Sequence, residues 1–332
     1  MAKETTKETF ASLGKQEALR RLFEGSGYEP FAPSAHRFFQ EGIDFNLVYF
    51  PLRHLGYKVV VAVAGELLAA LRHPERLSVV LGVSAKLDYE QISEFWDGVK
   101  TAAGEYGFSS LSLDLAPSQN GLLISVCGGG KMRALTETGI PSAKSKDVLF
   151  VSGRLGAAYL GFRVLEKERF RFENGQEKSE DLERYRMLVG AYLKPELDPG
   201  ILTRLEDAGT IPSAACLITH GLSDAVKRIA RRTGLGAKVY TGRIPFEGNS
   251  FELGKKLDVD PISAAMNGGD DYQLMVAIPI GLAESFRREF PTFEAVGHLA
   301  LPEVGTVLVT PEGAELQLRA QGWNEEDSSN PQ

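Results

Sequence analysis

The chain has 332 residues, a length that suits two ordinary domains better than one core. Apolar residues make up 43% and charged residues 24%, which excludes a disordered or fibrous chain. The formal net charge of -7 argues against a nucleic-acid partner, because phosphate backbones need a concentrated cationic surface; a small-molecule ligand fits the balance better.

Residues 1–10 carry Lys3, Glu4, Lys7 and Glu8 and no apolar run, so they do not read as a secretory signal and a cytoplasmic location is expected. The most apolar segment, 59–71, contains Glu66 and falls short of the roughly 18 uncharged residues of a membrane helix. It reads as a buried helix. Over 88–106, Ile92, Phe95, Trp96, Val99, Ala103 and Tyr106 recur at three- and four-residue spacing, and Asp88 with Gln91 forms a capping-box pattern. Over 108–115, Leu111, Leu113 and Leu115 alternate with Ser110, Ser112 and Asp114, a strand with Asp114 turned away from the leucine face. A second strand, 121–127, runs into Gly128, Gly129 and Gly130; the pattern is then lost over 131–146, and a domain boundary is placed within that stretch.

The second half opens with a strand at 148–151, the turn Ser152-Gly153-Arg154-Leu155-Gly156 and a helix from 157 to 165. The charge-dense run 166–186 reads as a solvated loop around Asn174-Gly175 between helices, and Asp198-Pro199 as a helix start. Strands are expected at 214–218, 271–278 and 293–301, with a closing hairpin at 306–309 and 314–318 and a polar tail after Trp323. Cys127 and Cys216 lie in apolar strand-like runs without metal-ligand spacing and read as reduced core residues.

Four segments invite chemistry. Gly128-Gly129-Gly130-Lys131 lacks the glycine five residues before Gly130 and the hydroxyl after Lys131 that a phosphate loop requires, so a turn is favoured. The 152–156 turn offers backbone N–H groups to an anion at a helix start, although glycines there also serve tight packing. Asn267-Gly268-Gly269-Asp270-Asp271-Tyr272 places two carboxylates just before a buried strand, as a ligand loop or as a self-satisfied turn. Thr219-His220-Gly221-Leu222-Ser223-Asp224 leads into a helix capped by Ser223 or Asp224; His220 is a candidate base or a structural residue, and Lys227, Arg228, Arg231 and Arg232 read as a solvated helix face. The residues alone reach a two-domain α/β protein with a candidate ligand loop.

Glu41-Gly42-Ile43-Asp44-Phe45-Asn46, continuing through Pro51 to Lys58, resembles the stretch that precedes the long buried helix of thiamine-monophosphate kinases. Residues 267–274 resemble that family's Gly-Glu-Asp-Tyr-Glu-Leu motif, residues 151–161 its strand–glycine–helix, and Gln321-Gly322-Trp323 its late aromatic. The resemblance implies an α/β fold of the AIR synthetase-like (PurM-like) type. Residues 1–141 would form the N-terminal ATP-site domain, 142–325 the C-terminal domain and 326–332 a disordered tail, with N-terminal sheets pairing in a homodimer. It also implies ATP and Mg2+ as cofactors, a small phosphorylated ligand, and neither nucleic acid nor membrane as partner.

The family's acidic positions are where this chain departs. Its Gly-Asp-Asp-Ala-Ala segment has no counterpart near 31–37, where a deletion is inferred, and its Thr-Thr-Asp aligns with Ala35-His36-Arg37. Asn-x-Ser-Asp aligns with Val63-Ala64-Gly65-Glu66, Gly-Gly-Asp-Thr with Ser112-Leu113-Asp114-Leu115, and Asp-Ile-Ser-Asp-Gly-Leu with residues 217–222, where both aspartates are gone. The resemblance leaves Asp114 and Glu66 as metal candidates, Asp114, Thr219 and Gly153 as nucleotide-binding candidates, and Asp44, Asp270 and Trp323 as substrate-binding candidates. No catalytic residue is assigned. The expectation is a catalytically degenerate family member that binds a ligand or regulates a partner; the alternative is an active kinase converting thiamine monophosphate to the diphosphate through a rebuilt metal site.

Overall fold

The structure is a computed structural model that describes residues 15–25, 34–176 and 182–323. The readings of the first ten residues, the tail and part of the 31–37 deletion lie outside the described residues.

Two separate sheets are built from successive stretches of chain. The first comprises β1 (Ser34–Gln40), β2 (His73–Ser84), β3 (Ser110–Ser118) and β4 (Leu123–Lys131) in the order β1-β4-β2-β3. Only the β2–β3 pair is parallel. The second comprises β5 (Val148–Ser152), β6 (Ala214–Ile218), β7 (Gly236–Tyr240), β8 (Gln273–Ile278), β9 (Phe293–Ala300), β10 (Thr306–Val309) and β11 (Glu315–Gln317) in the order β11-β10-β7-β9-β5-β8-β6. The expected closing hairpin is β10–β11.

Helix α1 (Leu52–Ala69) is apolar around its whole circumference, as a helix must be when it is covered on every side. Val59 to Ala64 are fully buried. The helix packs on β1 and β4 of the first sheet and on β6 and β8 of the second, so one core runs through both. Its approach to α2 (Tyr89–Glu105) depends on two glycines: a Cβ on Gly56 would stand 2.0 Å from the Phe95 carbonyl oxygen, and one on Gly98 1.9 Å from that of Arg53. The Asp88–Gln91 capping box opens α2 as the pattern predicts.

Several local expectations change. Gly128 to Gly130 do not form a turn: they continue β4, paired with both β1 and β2. Steric room explains the glycines, since a Cβ on Gly128 would come within 2.3 Å of Val63 Cγ1 on α1. Cys127, expected in the core, is exposed on that strand, whereas Cys216 is buried. Helix α3 (Ala157–Glu173), by contrast, ends within the charged run at Asn174-Gly175, where the loop was expected. It is followed by α4 (Arg186–Leu193), α5 (Leu222–Thr233) and α6 (Pro261–Asn267). No described helix is long and apolar enough to cross a membrane.

Candidate functional site

The segment between α6 and β8 sets the floor of the site. Gly269, Asp270 and Tyr272 all have positive φ, at 89°, 63° and 48°, a conformation unfavourable for aspartate and more so for a bulky tyrosine. Backbone bonds hold it, from Asp270 N–H to the Thr219 carbonyl and from Tyr272 N–H to that of Ile218. The resulting zigzag sends the two adjacent carboxylates to different places.

Asp271 turns inward and accepts hydrogen bonds from the N–H groups of Gly156 (2.9 Å to Oδ2) and Ala158 (3.4 Å to Oδ1). It therefore caps α3 internally, and the helix start that offered N–H groups to an external anion is already supplied with one. Burial pushes its carboxyl up to about 7 against those backbone bonds. Gly153 lies at this end, lining a cavity of about 510 Å³ with Arg154, Asp271 and Gln273.

Asp270 instead faces a cleft. Its Oδ2 accepts from the ammonium of Lys58, 3.0 Å away, and Lys58 also donates to the Tyr192 carbonyl at 2.9 Å while lying 3.7 Å from the centre of the Tyr192 ring. Lys58 is the buried charged group of helix α1. Burial lowers the pKa of its ammonium; Asp270 and Asp44 oppose that shift. Asp44 lines the same cleft, its Oδ2 accepting from the Gln40 N–H at 2.7 Å, and burial, aided by Asp270, raises its carboxyl.

Two adjoining cavities, of about 390 and 450 Å³, share His36, Arg37, Thr219 and His220 and form one continuous cleft between β1 and the β6–α5 turn. Asp44, Asp270, Tyr272, Phe38 and Phe39 line one end. At the other stand Glu66, Asp224, Arg228, Gln321 and Trp323. The turn itself requires Gly221, with φ 88°, because a Cβ there would lie 2.3 Å from the Met266 carbonyl oxygen.

The second end is organised by ion pairs. Arg37 Nη2 donates to Glu66 Oε1 at 2.6 Å, and Arg228 Nη1 stands 3.6 Å from the same oxygen. Arg228 Nε lies 3.0 Å from Asp224 Oδ2, close enough for an ion pair although its angle is poor for a hydrogen bond, while its Nη2 donates to the Leu217 carbonyl. Asp224 Oδ1 accepts the Trp323 indole N–H at 2.9 Å, and His220 Nδ1 is 3.8 Å from Oδ2. Burial would raise the Asp224 carboxyl, but His220, Arg228 and Trp323 outweigh it and hold it at about 2. Arg231 and Lys227 lie over the Trp323 ring at 4.4 and 5.5 Å.

This corrects two expectations. The helix cap is Gly221 rather than Ser223 or Asp224, and Asp224 is a buried ion-pair partner. The basic stripe is not simply a solvated face: Lys227 is buried, Arg228 bridges two carboxylates, and Arg232 donates to the Ala215 carbonyl.

The substrate-binding candidates Asp44, Asp270 and Trp323 thus border one cleft, together with Thr219 and Glu66. Gly153 borders the other cavity, and Asp114 lies on the exposed edge strand β3, its Oδ1 accepting from the Leu115 N–H. Lys58, Arg228 and Asp224 were missed as site residues. A single lysine entering an apolar helix, and an Asp–Arg pair four residues apart, were the available signals.

The donor chemistry does not fit a multi-magnesium cluster. Such ions need converging oxygen ligands, whereas Glu66 is engaged by guanidinium groups, and among the described residues no three His, Cys, Asp or Glu side chains converge as a metal set.

No family model matches the chain. It is 27% identical over 236 residues to the thiamine-monophosphate kinase of Methanopyrus kandleri, covering 70% of each chain. The crystal structure of thiamine monophosphate kinase from Aquifex aeolicus superposes with a TM-score of 0.75 at 22% identity, over 96% of this chain and 100% of that one. The structure of AaThiL complexed with AMPPCP and TMP gives 0.75 at 20% identity, over 94% and 97%. Sequence and fold agree over most of its length: the chain is similar to thiamine-monophosphate kinases and has the PurM-like fold that the resemblance implied.

Proposed function

We propose that this thiamine-monophosphate kinase-like chain is catalytically degenerate and acts as a ligand-binding or regulatory protein. The Arg37–Glu66–Arg228 arrangement carries the reading: a guanidinium stands where the family resemblance calls for a metal-holding carboxylate, and it neutralises the acid that remains. The ligand is a small molecule with a cationic aromatic head and a phosphate, the thiamine phosphate class. Its head lies against Asp44, Asp270 and Tyr272, and its phosphate points toward Arg37 and His220.

Residues 1–141 and 142–325 act as two domains on this reading, each contributing one sheet. A homodimer through the first sheet is supported by Phe38 and Val80, exposed on the same face of it. The alternative, an active ATP- and Mg2+-dependent kinase with a rebuilt site, draws on the pairing of Asp44 with Asp270, two carboxylates near enough to perturb each other. Titration calorimetry with ATP and magnesium separates the two. The degenerate reading predicts no magnesium-dependent heat of nucleotide binding, and a saturable one would favour the alternative.

A further inference from the structure

We infer that the cleft holds the anionic group of its ligand directly on Arg37 and His220, without any divalent cation. This rests on the ligand-binding reading above and deepens it by naming how the phosphate is taken.

The inference comes from which hydrogen-bonding valences the ion-pair network leaves over. Both oxygens of Asp224 are directed into the protein, Oδ1 to the Trp323 indole and Oδ2 toward Arg228 and His220. Glu66 Oε1 lies between the two guanidinium groups. Arg228 is surrounded by counter-groups, ion-paired with Glu66 and Asp224 and donating to the Leu217 carbonyl.

Arg37 differs: Glu66 takes Nη2, and Nε and Nη1 meet no acceptor among the described residues, while its side chain is 19% exposed and lines both cavities. Glu66 therefore orients the guanidinium and leaves the other donors of its fork for a ligand. His220 is held through Nδ1, with Thr219 Oγ1 at 3.1 Å and Asp224 behind it, so Nε2 is the ring nitrogen left to the cleft. Gln321 adds an amide and His36 a second imidazole to the same walls. The open donors of Arg37 face the cleft together with His220, His36 and Gln321, against the second Glu66 oxygen as acceptor, and both carboxylates at this end are already ion-paired with guanidinium groups, which suits phosphate oxygens better than a metal ion.

The test is titration calorimetry of the full chain with inorganic pyrophosphate, once in excess EDTA and once in magnesium. Binding in EDTA at least as tight as in magnesium is expected. Arg37→Ala should weaken it by about tenfold or more, the loss of a charge-assisted pair, and His220→Gln by several-fold. Arg37→Lys should recover only part of the affinity, because an ammonium cannot supply the fork. Thermal melts of each variant establish that it is folded, and His220, exposed on a turn, serves where Arg37→Ala does not fold. Binding seen only with magnesium, no binding at all, or unchanged affinity in folded variants at both positions would overturn the inference. Kinase turnover, measured separately, would overturn the degenerate reading and leave EDTA-resistant binding standing.

Discussion

Arg37 on β1 and Glu66 near the end of α1 meet at 2.6 Å, and Arg228 approaches the same carboxylate from α5, so one acid ties a strand of the first sheet to two helices. Two cations share this counter-charge in a part-buried setting. Glu66→Gln should therefore lower stability by about 1–3 kcal/mol, below the loss for a fully buried pair because each side chain retains some solvent. Urea unfolding measures it, and a cycle with Arg37→Met should show coupling of at least about 0.5 kcal/mol.

Asp271 and Asp224 give opposite dependences on pH. Asp271 has its pKa raised to about 7, so the folded state binds its proton more tightly than the unfolded chain; stability falls as pH rises from about 4 to about 7 and levels above. Asp224 is held at about 2, so its contribution is present above the ordinary aspartate range and is lost as pH falls toward 2. Denaturant midpoints across pH should show both limbs. Asp271→Asn should flatten the upper one and leave the lower.

Lys58 is buried within an apolar helix, with Asp270 its carboxylate partner. Lys58→Met keeps most of the volume and removes the charge, two hydrogen bonds and the contact with the Tyr192 ring. A loss of about 2 kcal/mol is expected, moderated because the Asp270 side chain is 34% exposed and can hydrate. Equilibrium unfolding tests this, and a change within 0.5 kcal/mol, the usual range for surface substitutions, would count against it.

The glycine run in β4 yields a steric contrast. Gly128→Ala places a methyl 2.3 Å from Val63 Cγ1 and should cost about 1–3 kcal/mol, the usual range for overpacking. Gly129→Ala meets nothing nearer than 3.8 Å and should be close to neutral. Equal effects at the two positions would contradict the packing account.

Much of the fold was legible because periodicity reports burial. The capping box at Asp88 and the long apolar run through Val59 each describe one element and its burial, whereas the alternation around Leu113 gave a strand but not its exposure at the sheet edge. Gly128 to Gly130 misled because a glycine cluster marks either a turn or a close approach, and only the position of Val63 decides which. The site was less legible for the same reason. Asp44 and Asp270 stand out as carboxylates in turns, but the role of Arg228 depends on Glu66, a residue far away in sequence. The basic stripe on α5 has the spacing of a solvated face, and only its packing against β6 turns part of it inward.

The most direct test of the central claim is incubation of the purified protein with ATP, magnesium and thiamine monophosphate, with thiamine diphosphate quantified by chromatography against a blank without protein. The degenerate reading, with Glu66 engaged by Arg37 and Arg228, predicts no product above the blank. Product above the blank that disappears with Asp44→Asn or Asp270→Asn would contradict it and support a rebuilt metal site.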